Sequence, residues 1–136
     1  MTVGYSSTPL PRKLGIKPGM SIAVLEAPPD IDAILGDLPN GVTISHRLIG
    51  HCDLVLIFIT RQGDLASGLP ALINAIAPNG MIWVAWPKRA SKIETDMTED
   101  VIREIVLPTG GLVDVKVCAI DHVWSGLKLV IRKERR

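Results

Sequence analysis

The sequence predicts an α/β fold, a three-layer sandwich around a mainly parallel sheet that ends in an antiparallel β-hairpin. Three observations carry this expectation. Ile and Val supply 28 of the 136 residues and fall in short blocks bounded by Gly, Pro, Asn and Asp, as strands between turns do. Three blocks, residues 20–27, 53–60 and 80–86, are almost continuously apolar, which suits central strands covered on both faces. The last two blocks, residues 112–121 and 124–133, alternate instead, and only His122 and Val123 separate them, too few for a parallel crossover.

Taken in order, residues 1–19 read as an N-terminal lead and residues 20–27 as the first strand. Asp30 is placed to cap a short helix over residues 30–36, with Ile31, Ile34 and Leu35 on one face. Residues 42–45 form a weaker strand, and 53–60 the next central one. A second helix is expected over 64–77, with Leu65, Leu69, Leu72, Ile73 and Ile76 as its core stripe, a kink or restart at Pro70, and a stop at Pro78-Asn79-Gly80. A third helix covers about 98–107, capped by Asp96 or Thr98. In the first hairpin strand, Val113, Val115, Val117 and Ala119 are expected on one face and Asp114, Lys116, Cys118 and Ile120 on the other; both hairpin strands are expected to be half exposed. Residues 1–136 thus read as one domain, with 132–136 as a frayed basic tail.

Composition narrows the functional classes. A chain of this length can bury about two thirds of its unfolded surface without a metal or disulfide. With 15 Lys+Arg against 14 Asp+Glu, it has no net field to attract nucleic acid or an anionic membrane. Two cysteines do not make a disulfide framework, no apolar run reaches the roughly 18 residues of a membrane span, and the Pro- and Lys-containing start lacks a signal-peptide core. The expectation is a cytoplasmic protein with no nucleic-acid or membrane partner.

Leu14-Gly15-Ile16-Lys17-Pro18-Gly19-Met20 followed by Val24-Leu25-Glu26 resembles the entry into the first strand of class I S-adenosylmethionine (SAM)-dependent methyltransferases. Asp53-Leu54-Val55 and Ala77-Pro78-Asn79-Gly80-Met81-Ile82-Trp83-Val84 resemble two further strand openings of that family, and the closing hairpin sits where the family has its antiparallel pair. The likeness spans roughly residues 14–133 and implies a Rossmann-type, methyltransferase-like sheet, trimmed by one β-α unit where only residues 45–53 connect two strands. It admits SAM as a ligand. However, Glu26-Ala27-Pro28-Pro29-Asp30 stands where the family has a Gly-rich turn; two prolines remove two N–H donors and stiffen the loop, which disfavours SAM and leaves no cofactor expected. Ser45-His46-Arg47 stands where an acidic residue usually takes the ribose hydroxyls. Other segments, among them Gly4-Tyr5-Ser6-Ser7-Thr8-Pro9-Leu10, Trp86-Pro87-Lys88 and Thr98-Glu99-Asp100-Val101, are similar to a family of small uncharacterised bacterial proteins, a domain of unknown function, which implies no catalytic residues.

Ligands of open parallel sheets bind outside the carboxyl ends of the strands, where strand order reverses. That places the candidate rim at Glu26, Thr60 and Arg61, with Trp86, Lys88 and Arg89 one strand further along; Lys88 and Arg89, with Lys92, could hold a carboxylate or phosphate beside Trp86. A solvated basic loop explains the same residues. Lys116, Trp124 and Lys128 are candidates for an interaction surface on the hairpin, toward a protein partner or a second copy. Asp96, Glu99, Asp100 and Glu104 read as helix-capping charge, with Asp96 facing Lys88 or a substrate hydroxyl as the alternative. His46, His51, Cys52 and Asp53 match no standard zinc spacing, so no metal is expected, and the sequence spacing pairs no nucleophile with His122 as a proton carrier. Neither a Gly-x-Ser-x-Gly elbow nor a P-loop is present. The leading functional expectation is a non-catalytic, methyltransferase-like binding or interaction module. A SAM-dependent or other small-molecule transferase with an altered pocket, and a binder of a small anionic metabolite at Lys88 and Arg89, are the alternatives.

Overall fold

A computed structural model describes residues 8–136. The Gly4–Ser7 part of the lead lies outside the described residues. Ten main elements follow in the order α1 (Leu10–Leu14), β1 (Ser21–Leu25), α2 (Ile31–Leu35), β2 (Thr43–Ser45), β3 (Cys52–Phe58), α3 (Gln62–Ala75), β4 (Ile76–Pro87), α4 (Glu99–Val106), β5 (Leu112–Ala119) and β6 (Trp124–Ile131). They build one six-stranded sheet of order β2-β1-β3-β4-β6-β5. The first four strands are mutually parallel, and β6 runs antiparallel to both of its neighbours. The α/β class, the mainly parallel sheet and the closing hairpin therefore match the reading of the sequence.

Each face of the sheet buries its own apolar layer. On one face α3 and α4 cover Val55, Ile82, Val84, Leu127 and Leu129; on the other, α1 and α2 cover Leu54, Leu56, Phe58, Trp83 and Trp124. This is why the central strands read as unbroken apolar runs. The lead is more than an approach to the first strand: Leu14 is fully buried, Ile16 nearly so, and the Trp83 Nε1–H donates to the Leu14 carbonyl at 2.9 Å. Gly15 ends α1 in the left-handed region, φ 85°, turning the chain toward β1.

Local expectations needed four corrections. The helix expected to stop at Pro78-Asn79-Gly80 ends at Ala75, and those three residues belong to β4, where the register against β3 slips between Cys52 and Leu54. Pro70 lies inside α3 without breaking it, because Leu65 and Leu69 on one side of it and Leu72 on the other are held against the sheet. Asp30 makes no side-chain capping bond; Thr98, by contrast, caps α4 by accepting the Val101 N–H. Finally, the hairpin strands are unequal. β6 is an interior strand between β4 and β5, with Leu127 and Leu129 fully buried, and β5 alone is the edge.

A register shift between Asp114 and Lys116 leaves Val115 as an extra residue in β5 and reverses the alternation there. Before it, Asp114 pairs with Leu129 and faces α4, where it accepts a hydrogen bond from Arg103 Nε at 2.8 Å; after it, Val117 pairs with Leu127 on that same face, and Lys116 and Cys118 take the other. The expected single stripe from Val113 to Ala119 is thus split between the two faces.

Gly126 sits opposite Ala85 and makes room for two large side chains: an added Cβ would lie 3.0 Å from Ile120 Cδ1 and 3.1 Å from Trp83 Cε3. Gly126→Ala should therefore destabilise the fold by about 1–3 kcal/mol through overpacking. Urea unfolding monitored by Trp fluorescence checks this; an unchanged midpoint would mean that the Trp83 ring yields without cost.

Candidate functional site

From β1 the chain steps outward through α2 to β2, then crosses back to β3 on the other side of β1. Strand order reverses between β1 and β3, and their carboxyl ends splay apart into a cleft of ≈ 530 Å³ lined by Glu26, residues 57–60, Asp64, Ser67 and Trp124. The polar lining carries two carboxylates and two hydroxyls, and no basic side chain lines this cleft.

Glu26 follows β1 directly and holds φ at 54°, in the left-handed region that a residue with a Cβ adopts only at a cost. The turn beyond it is short of donors. Pro28 and Pro29 have no N–H, and the Ile31 N–H is used by the Pro28 carbonyl at 3.1 Å. The turn therefore offers fewer backbone donors than a glycine-rich one of the same length would, and α2 behind it has only five residues.

The opposite wall is aromatic. Phe58 on β3 and Trp124 on β6 meet edge to face, ring centroids 4.9 Å apart, across the small Ala85 of the intervening β4. Asp121 orients Trp124: its Oδ1 accepts the N–H groups of Val123 and Trp124, each at 2.8 Å. Lys88 then holds this turn to β4, since its Nζ donates to the Asp121 carbonyl at 2.6 Å and its N–H to the Val123 carbonyl at 2.7 Å.

The candidate residues consequently divide among separate places. Glu26 and Thr60 meet in the cleft, joined by Trp124, which the sequence reading had grouped with the hairpin surface. Trp86 is buried on the α3–α4 face, and with Arg89, Ile93 and Thr98 it lines a second recess of ≈ 350 Å³. Arg61 lies in a small recess with Glu94, Thr95 and Asp96. Lys116 and Lys128 are paired across β5 and β6, four residues along β6 from Trp124. Asp64 and Ser67 were missed. They occupy the first two turns of the helix after β3, positions that border the crevice wherever order reverses beside a parallel strand.

The remaining candidates have local roles. His46 Nδ1 lies 3.2 Å from the Val24 carbonyl, the Cys52 thiol donates to the Ile49 carbonyl, and Asp53 accepts the Ser21 N–H at 2.8 Å. Their side chains turn to different partners, and among the described residues no three His, Cys, Asp or Glu groups are gathered as metal ligands. Asp96 is directed to the start of α3: its carboxylate accepts the Gln62 N–H at 2.7 Å and the Gln62 Nε2–H at 3.1 Å. The Thr95 hydroxyl and the Asp96 N–H both donate to the Thr60 carbonyl, so the residues 95–96 segment is stitched to the cleft rim.

The backbone hydrogen bond from Gln62 holds the Asp96 carboxyl below its usual range, helped by the Gln62 side chain and Arg61 against an opposing desolvation. A carboxyl whose folded-state pKa is depressed stabilises above its unfolded pKa and loses that contribution as pH falls through the folded value. Asp96→Asn should thus lower the Tm at pH 6, and the gap from the parent should close on acidification below about pH 4. Thermal melts between pH 6 and pH 3 check this; a gap that widens in acid would contradict it.

Among solved structures, the chain resembles SAM-dependent methyltransferases at low sequence identity, a likeness of fold. It matches the DhpI–SAH complex with a TM-score of 0.61 at 10% identity, covering 92% of this chain and 83% of that one. A SAM-dependent methyltransferase from Aquifex aeolicus matches at 0.57 and 14%, covering 89% and 87%. TrmN from Thermus thermophilus matches at 0.59 and 10%, covering 90% of this chain, which spans only 47% of TrmN. No curated protein is significantly similar in sequence. Residues 12–133 match the family described as "Protein of unknown function (DUF3052)", and the chain belongs to that family, carrying a methyltransferase-like fold.

Proposed function

We propose that this protein is a binding module on a methyltransferase scaffold, without methyl transfer, and that the cleft between β1 and β3 takes a small molecule bearing a positively charged amine. The observation that carries the reading is the rim itself. Glu26 is held in a strained left-handed conformation where glycine would relax it, and the turn behind it has two prolines without N–H groups and an Ile31 N–H already given to the Pro28 carbonyl, which leaves fewer donors for an anionic or zwitterionic tail. Both charged lining residues, Glu26 and Asp64, are carboxylates, and the aromatic pair Phe58 and Trp124 closes the inner wall. Carboxylates beside an apolar aromatic wall suit an ammonium group with a short hydrocarbon body.

The second reading is a SAM-dependent or related small-molecule transferase using the same cleft. The fold favours it, since four of the similar structures hold SAH or SAM, among them the DhpI–SAH complex and LepI with SAM. Fold alone is a weak warrant for activity. A small anion at Lys88 and Arg89 has less support: the Lys88 ammonium is engaged with the hairpin turn, and Arg89 borders the other recess.

Isothermal titration calorimetry with SAM and SAH, beside thermal-shift assays with spermidine, agmatine and choline, separates these readings. The expected result is no heat from SAM or SAH and a rise in Tm with at least one amine. Micromolar binding of SAM or SAH would overturn the proposal in favour of the transferase. Glu26→Gly should raise the Tm of the free protein, by about 1 kcal/mol of relieved backbone strain, and abolish the response to the amine. A variant that is stabilised yet still responds would remove Glu26 from the site.

A further inference from the structure

We propose that the sheet face bearing Lys116, Lys128 and Lys17 is a docking surface for an acidic segment of a partner protein. Lys116 and Lys128 are directly opposite in the register of β5 and β6, so they share one face, and that face is the one α1 covers. Lys128 is in turn in register with Trp83, over which Leu14 lies, which puts Lys128 at the border of the α1 layer. Lys17 follows α1 at the same border. It acts on Lys128, whose ammonium pKa is lowered first by desolvation and then by the charges of Lys116 and Lys17.

Like charges placed directly opposite across two strands work against the fold, and a β-former without charge would serve the sheet better. No carboxylate of the described residues is paired with either lysine. Among the described residues the only side-chain ion pairs are those of Arg103 with Glu99, Asp100 and Asp114, on the opposite face of the sheet, and residues 1–7 contain no Asp or Glu. A segment carrying carboxylates would supply the charge of opposite sign that complements this face.

Three features select carboxylates of a protein segment over nucleic acid. The cluster is made of lysines, compact point charges, and has no guanidinium fork in it for bidentate phosphate contacts. The Phe and Trp rings of the described residues are buried, with Trp124 the most accessible at 9%, so none of them is exposed as a platform for stacking bases. The half-buried Val113 and Val130, paired on the same face, give apolar ground beside the charges, which suits a peptide carrying both acidic and aliphatic side chains. The extra residue at Val115 interrupts regular pairing along the β5 edge, so the segment crosses the face and does not extend the sheet.

This surface is independent of the cleft, and its test uses the full chain. Fluorescence anisotropy would follow a labelled octaglutamate peptide at low salt, with octaglutamine, inorganic polyphosphate and an eight-residue oligothymidylate as comparators. Octaglutamate is expected to bind, to weaken at least tenfold in Lys116→Gln and in Lys128→Gln, and to be unaffected by Lys133→Gln at the C-terminal turn. Both loss-of-binding variants should melt at or above the parent temperature, since each removes a like-charge neighbour. No octaglutamate binding, binding that survives both substitutions, tighter binding of polyphosphate or oligothymidylate, or a lowered Tm in the variants would each overturn the proposal.

Discussion

The indole of Trp83 is the constraint on which much of the structure depends. It is fully buried in the middle of the sheet, on a central strand, and a ring of that size needs both space and a partner for its N–H. Space comes from Gly126 on the neighbouring strand, and the partner is the carbonyl of Leu14. That hydrogen bond pins α1 over the sheet, so a five-residue helix too short to be stable alone becomes part of the core. The pinned helix also sets where its cations fall: Lys13 Nζ reaches the Ala119 carbonyl at the end of β5, and the charge of Lys17, just past the helix, acts on Lys128. One buried ring thus organises both the closure of a face and the charge at its edge.

The cleft follows from topology in the same way. Parallel strands that depart in opposite directions from β1 must leave a gap at their carboxyl ends, whatever side chains line it. This chain lines the gap with the carboxylates of Glu26 and Asp64 and the rings of Phe58 and Trp124. The glycine-free turn after β1 holds Glu26 in a conformation that glycine would adopt without strain, while two prolines withdraw backbone donors. The fold is methyltransferase-like; the side chains at the mouth of its cleft are acidic and aromatic.

Much of the fold was legible in the sequence because burial on both faces of a parallel strand leaves an unmistakable apolar run, as residues 53–60 show. The hairpin was legible from its two-residue connection. Side-chain direction was not. One extra residue at Val115 reverses every side chain beyond it, and nothing local in Val113-Asp114-Val115-Lys116 distinguishes a bulge from plain alternation. The same difficulty hides where the tryptophans face: Trp86, near the end of β4, faces α3 and α4, whereas Trp124, which opens β6, faces the cleft. Glu26 and Thr60 were readable because they follow directly from the position of two strand ends, while Asp64 and Ser67 required knowing how α3 leaves β3.

The central claim is that the scaffold has kept its cleft and exchanged the cofactor for another small molecule. Native mass spectrometry of the protein, purified rapidly without dialysis, tests it most directly. The account predicts a bound species smaller than SAM that carries a basic nitrogen and is absent from Glu26→Gly. A stoichiometric mass addition matching SAM or SAH, retained in the parent protein, would contradict it.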